Sequence, residues 1–122
     1  MIGYVTLGTN DIDKGAVFYD QLLAACGAKR LMELDGFILW GTGFDKASLA
    51  LAKPFDGNAA TVGNGVMAAI MLDSKQAVDA MHSKALALGG ADEGAPGQRG
   101  EGFYAGYFRD LDGNKLNAFC MG

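Results

Sequence analysis

Arg109-Asp110-Leu111-Asp112-Gly113-Asn114-Lys115-Leu116-Asn117-Ala118-Phe119 holds two apolar flanks, Tyr107–Phe108 and Leu116–Phe119, around a polar turn. Asp-Gly followed by Asn suits backbone positions of positive φ, which predicts a tight β-hairpin. Past the turn, Leu116, Ala118 and Cys120 alternate with Lys115, Asn117 and Phe119, the period of a strand. The chain therefore ends in a hairpin whose last strand sets Asn117 and Phe119 on one face.

Working outward, the same unit is legible twice. Ile2–Leu7 reads as a strand and Thr9-Asn10-Asp11 as capping chemistry. Ile12–Ala25 reads as a helix with Val17, Phe18, Leu22 and Ala25 at helical spacing, stopped by Gly27. Strands follow at Lys29–Leu34, Phe37–Gly41 and Ala47–Ala52, with Asp35-Gly36 and Gly41–Lys46 as turns. After the glycine-rich connector Pro54–Gly65 come a strand at Val66–Leu72, a cap at Asp73-Ser74 and a helix at Lys75–Leu88. That helix shows Val78, Met81, Ala85 and Leu88 on its apolar side and stops at Gly89-Gly90. Ala91–Gly102, glycine-rich with one proline, is expected to be a poorly formed strand or a loop. Sliding the chain on itself so that Tyr4 falls on Met67 lays Asn10 on Asp73, Tyr19 on His82, Leu23 on Leu86 and Gly27 on Gly90. The expectation is an α+β chain, one domain over residues 1–122, made of two βαβββ modules. Module one spans 1–53, the connector 54–65 and module two 66–122. Two paired, curved mixed sheets would then form a cup with the helices outside.

Composition excludes several classes. Ten basic residues stand against fourteen acidic ones, net charge −4 with no basic cluster, which argues against nucleic-acid or anionic-membrane partners. No apolar run approaches the roughly 20 residues of a membrane span. Met1 leads straight into a strand-like run without a basic leader, so a cytoplasmic location is expected. Cys26 and Cys120 lie in apolar segments without ligand spacing and read as small buried hydrophobes.

Several motifs in this order resemble the vicinal oxygen chelate superfamily, which includes glyoxalase I, bleomycin-resistance proteins and extradiol dioxygenases. The carriers are Val5-Thr6-Leu7-Gly8 with Asp11, Phe18-Tyr19-Asp20 with Leu23, Pro54-Phe55-Asp56-Gly57, and Thr61-Val62-Gly63-Asn64-Gly65. Ala95-Pro96-Gly97 with Arg99, and above all Arg109–Asn114, complete the set. The resemblance implies a cup with a divalent metal held by His, Glu or Gln from the first and last strands of each unit. On this chain those four places hold Tyr4, Ala50, Met67 and Asn117. A methyl, a thioether, a neutral amide and a phenol are not the ordinary donors of a divalent site, so no metal and no other cofactor are expected. The sole histidine, His82, falls on the apolar side of the second helix and reads as a packed structural residue.

Strand parity lists what shares a face with those four places: Tyr4 and Thr6; Ser48, Ala50 and Ala52; Met67, Ala69 and Met71; Lys115, Asn117 and Phe119. Trp40 is expected to join from the middle strand, its face uncertain by one residue. Arg99 and Tyr104 are expected at the mouth, where Arg99 would meet a carboxylate or phosphate. The expected ligand set is thus Tyr4, Thr6, Trp40, Ser48, Met67, Arg99, Tyr104, Asn117 and Phe119, with Tyr4 the candidate acid or base if the chain is an enzyme at all. Such a lining suits a planar or hydrophobic small molecule fixed by few hydrogen bonds. Metal-free binding of a small organic molecule is the first expectation. A glyoxalase-like lyase or dioxygenase with relocated metal ligands is the second, and a non-catalytic dimerisation module the third. The resemblance also implies a homodimer.

Overall fold

The computed structural model describes residues 1–122, which form two compact units, Met1–Val62 and Gly63–Gly122. The first contains β1 (Tyr4–Gly8), α1 (Ile12–Ala24), β2 (Lys29–Leu34), β3 (Phe37–Gly41) and β4 (Ser48–Ala52). Its sheet runs β1-β4-β3-β2, with β1 parallel to β4 and the other pairs antiparallel. Asp11 caps α1 by accepting from the Lys14 N–H at 3.1 Å, and Gly27, at φ 78°, turns the chain out of it. Phe18, Tyr19, Leu22 and Leu23 on α1 are each no more than 3% exposed and pack on the sheet. Val17, expected on that face, is instead 54% exposed, because Phe18 and Tyr19 fill the inward arc. Burying a side chain such as Phe18 or Leu22 contributes about 1.5–3 kcal/mol. Gly15 allows the close approach: a Cβ there would lie 2.5 Å from the Leu51 side chain.

The second unit repeats the order with β5 (Ala68–Met71), α2 (Lys75–Ala87), β6 (Ala91–Gln98), β7 (Phe103–Arg109) and β8 (Lys115–Met121). Its sheet runs β5-β8-β7-β6, again with the first and last strands parallel. Ser74 caps α2 through Ala77, and Val78, Met81, His82 and Ala85 are its buried face. The registers make the repeat explicit: Thr6 faces Ala50 in the first unit, and Ala69 faces Asn117 in the second. Both helices have 13 residues, and no helix is long and apolar enough to cross a membrane.

Of the two alternatives for Ala91–Gly102, the structure has the irregular strand: Ala91–Gln98 pairs with β7, and its register breaks between Asp92 and Gly94 and again between Gly94 and Gly97. It lies at the sheet edge, where Pro96 removes no ladder bond that the sheet needs. The closing turn is not the tightest kind. Only Gly113 takes positive φ, at 89°, and Asn114 does not. The Asp110 carboxylate organises the loop instead, accepting from the Asp112 N–H, the Asn114 N–H and the Asn114 side-chain amide, each at 2.9 Å.

Candidate functional site

Each sheet has a face packed on its helix and a face turned away from it. Leu51 lies against α1, so its strand neighbours Ser48, Ala50 and Ala52 point to the open face with Tyr4, Thr6, Phe37 and Leu39. In the second unit Tyr104 and Phe108 meet α2, so Ala105, Tyr107, Lys115, Asn117 and Phe119 share the open face with Ala69 and Met71.

This parity corrects two of the expected site residues. Trp40 lies on the helix side, 1% exposed, its ring against Tyr19 and its indole N–H donating to Asp20 at 2.8 Å. Arg30 donates twice to the same carboxylate, at 2.8 and 2.7 Å, and holds Asp20 below its ordinary pKa. The indole needs a buried acceptor, and α1 provides it, which fixes the face. Tyr104 is likewise turned to α2, where its hydroxyl donates to Asp79 at 2.6 Å and its pKa is raised by that bond.

The remaining expected residues stay on the open faces. In the first unit Tyr4 is 54% exposed, meets Phe37 edge-on at 6.1 Å and faces Ser48 across the ladder, with Thr6 one step along. In the second, Met67 lies just before β5 and is 40% exposed, and Phe119 stacks obliquely on Phe103 at 5.3 Å. Asn117 is the centre of this face. It is 1% exposed, and its Oδ1 is buried with no hydrogen-bond partner.

Tyr107, directly across the ladder from Asn117, is the residue that sequence reasoning missed. Two cations converge on its ring: the Arg99 guanidinium at 5.6 Å and the Lys115 ammonium at 5.5 Å from the centroid. Arg99 passes close over two glycines of β6, and Gly97 leaves it the room. A Cβ at Gly97 would stand 2.8 Å from the guanidinium and one at Gly94 would stand 3.4 Å from it. The Ala95 carbonyl holds Arg99 at 2.6 Å. The hairpin register around Asp112-Gly113 was the signal that would have found Tyr107, since it opposes Asn117 once Arg109 is paired with Lys115.

The other polar groups are committed to structure. Arg109 donates to Glu93 at 2.8 Å and to the Gly113 carbonyl at 3.0 Å. His82 is 5% exposed, its Nε2 placed 3.1 Å from Asp92 and 3.2 Å from the Tyr107 carbonyl, a packed residue between helix and sheet. Cys120 is buried and Cys26 half-buried, and both are free thiols. A surface cavity of about 220 Å³ lies between Thr9–Asn10 and Lys53–Ala59. It is smaller than the roughly 300 Å³ at which ligand pockets begin, and none of the expected site residues lines it.

The four places that the resemblance gives to metal ligands do not fit a divalent ion. Ala50 has no donor atom and Met67 offers only a soft thioether. The Asn117 oxygen is neutral. No group of three or more His, Cys, Asp or Glu side chains stands close enough together to hold one.

Comparison with known proteins agrees with the fold. The sequence model of the Glyoxalase/Bleomycin resistance protein/Dioxygenase superfamily matches residues 1–118. A glyoxalase/bleomycin resistance protein from Albidiferax ferrireducens T118 is 31% identical over 100% of this chain and 99% of its own, with a TM-score of 0.92. A glyoxalase/bleomycin resistance protein/dioxygenase family enzyme from Burkholderia phytofirmans PsJN is 21% identical over 98% of both chains, with a TM-score of 0.80. A lactoylglutathione lyase from Agrobacterium tumefaciens is 22% identical over 98% of this chain and 92% of its own, with a TM-score of 0.70. The last two likenesses concern the fold alone. No curated protein matches the chain. The chain belongs to the glyoxalase/bleomycin resistance protein/dioxygenase superfamily.

Proposed function

We propose that this chain binds a small organic molecule on the open face of its second sheet, without a metal. One observation carries the reading: the buried Asn117 Oδ1 has no donor, on a face it shares with Ala69, Met71, Ala105, Tyr107, Lys115 and Phe119. A buried acceptor left unsatisfied costs about 1–3 kcal/mol, and a ligand N–H or O–H would recover it. The aromatic and aliphatic neighbours supply apolar contact for the rest of such a molecule. Entry requires the half-buried Lys115 or Phe119 side chains flanking Asn117 to turn aside, a rotamer change common on binding. Loss of hard donors at the family's ligand places supports binding that needs no ion.

The neutral probe phenylnaphthylamine tests this, having two planar ring systems and one N–H. Saturable, one-to-one fluorescence enhancement, unchanged by EDTA, is expected. No binding, or binding abolished by EDTA, overturns the proposal.

The chain is also proposed to form a homodimer. β1 and β5 are edge strands, and Ile2, Tyr4, Val66 and Met71 in or beside them are more than half exposed. Apolar residues along an unpaired strand edge favour pairing with a second copy. Sedimentation equilibrium should give twice the 12.7 kDa chain mass, and a monomer at all concentrations contradicts this part.

A further inference from the structure

We infer that the ligand of this face is an organic anion, an aromatic or planar molecule bearing a carboxylate or phosphoryl-type oxyanion beside its hydrogen-bond donor. The inference rests on the binding reading above and adds the chemical class. Arg99 and Lys115 stand on opposite neighbours of β7, one following β6 and one on β8, and both aim at the Tyr107 ring. Neither takes part in any of the ion pairs of the structure, which use Arg30, His82 and Arg109. Arg99 donates to the Ala95 carbonyl, which leaves further guanidinium N–H groups for an oxyanion. Lys115 has three donors and no acceptor among the hydrogen bonds described.

In a chain of net charge −4, two cations without carboxylate partners converge on one ring of an apolar face. Both keep donors unused by any hydrogen bond described, and an oxyanion beside the ring would accept from them. Gly97 gives the placement a structural cause, because a Cβ there would stand 2.8 Å from the guanidinium and displace it. The recognised pattern is therefore a planar body over the Phe119 side, a donor toward Asn117 Oδ1 and an oxyanion taken up by Arg99 and Lys115 at the edge of the Tyr107 ring.

A matched pair of probes separates this inference from the reading beneath it. Phenylnaphthylamine and anilinonaphthalenesulfonate share rings and N–H, and only the second carries an oxyanion. The sulfonate is expected to bind about tenfold tighter, with its advantage shrinking as salt rises. Arg99→Gln and Lys115→Gln should each remove about threefold of the sulfonate's advantage over the neutral probe measured with the same variant. If neither probe binds, the binding reading fails. If both bind equally, or the two variants leave the sulfonate's advantage unchanged, the reading survives and the anion inference is overturned. Displacement of the bound sulfonate by salicylate or by phenyl phosphate identifies which oxyanion head the site takes, and displacement by neither also overturns it.

Discussion

Replacing Asn117 by Leu isolates the buried amide. Leucine has the same number of side-chain heavy atoms and the same branch point, so it keeps the shape while removing the acceptor. In the native chain Oδ1 is buried without a partner, which costs about 1–3 kcal/mol. The larger methyls take back up to about 1 kcal/mol through crowding against Tyr107 and Ala69. The net expectation is a variant more stable by about 1 kcal/mol, or about 4 °C in Tm for a chain of this size. Urea unfolding followed by far-UV circular dichroism measures it, because the sole tryptophan, Trp40, lies in the other unit. The same variant should bind phenylnaphthylamine about five- to tenfold more weakly, the worth of one hydrogen bond. A variant that gains stability and loses ligand marks a polar group kept for binding. A variant less stable by 1 kcal/mol or more, with unchanged probe affinity, refutes the reasoning.

Two further perturbations test the frame around the site. Gly90→Ala would place a Cβ 2.6 Å from the Arg109 carbonyl oxygen and 2.8 Å from that of Ala85, both backbone, and should cost about 1–3 kcal/mol by urea unfolding. Asp20 is held below its ordinary value of 3.8, chiefly by its hydrogen bonds from Arg30 and Trp40. Because the folded carboxyl is the stronger acid, its contribution is complete above that value and disappears as pH falls through the lower folded pKa. Asp20→Asn should therefore be less stable than the native chain at pH 7 by about 0.5–1 kcal/mol, the pair being one-third exposed, and the gap should narrow as pH falls below 3.8. Trp40 fluorescence during urea unfolding at pH 7 and below pH 3.8 checks it.

The element order was legible because periodicity and glycine stops agreed. The caps at Asp11 and Ser74, the stop at Gly27, the three strands after the first helix and the closing hairpin after the second follow from local chemistry that tertiary packing reinforces. Asn117 was legible for the same reason, since alternation beyond Gly113 fixes its face. Trp40 and Tyr104 were not, because a one-residue ambiguity in a short strand exchanges its faces and partners on a distant helix, Asp20 and Asp79, decide between them. Arg99 and Tyr107 could not be joined from sequence, because their meeting depends on two register breaks in β6 that glycine and proline conceal. Tyr107 alone was within reach of the hairpin register. Only the form of the closing turn escaped, because Asp-Gly-Asn resembles a shorter turn whose φ requirements Asn114 does not meet.

The central claim is that this member of the superfamily works on its open face without a divalent ion. Elemental analysis of protein purified without an affinity tag and without chelator tests it most directly. The account predicts zinc, nickel, manganese and iron all far below one equivalent per chain, with phenylnaphthylamine binding intact in the same sample. Near-stoichiometric content of any one of them would contradict it and would place metal ligands outside Tyr4, Ala50, Met67 and Asn117.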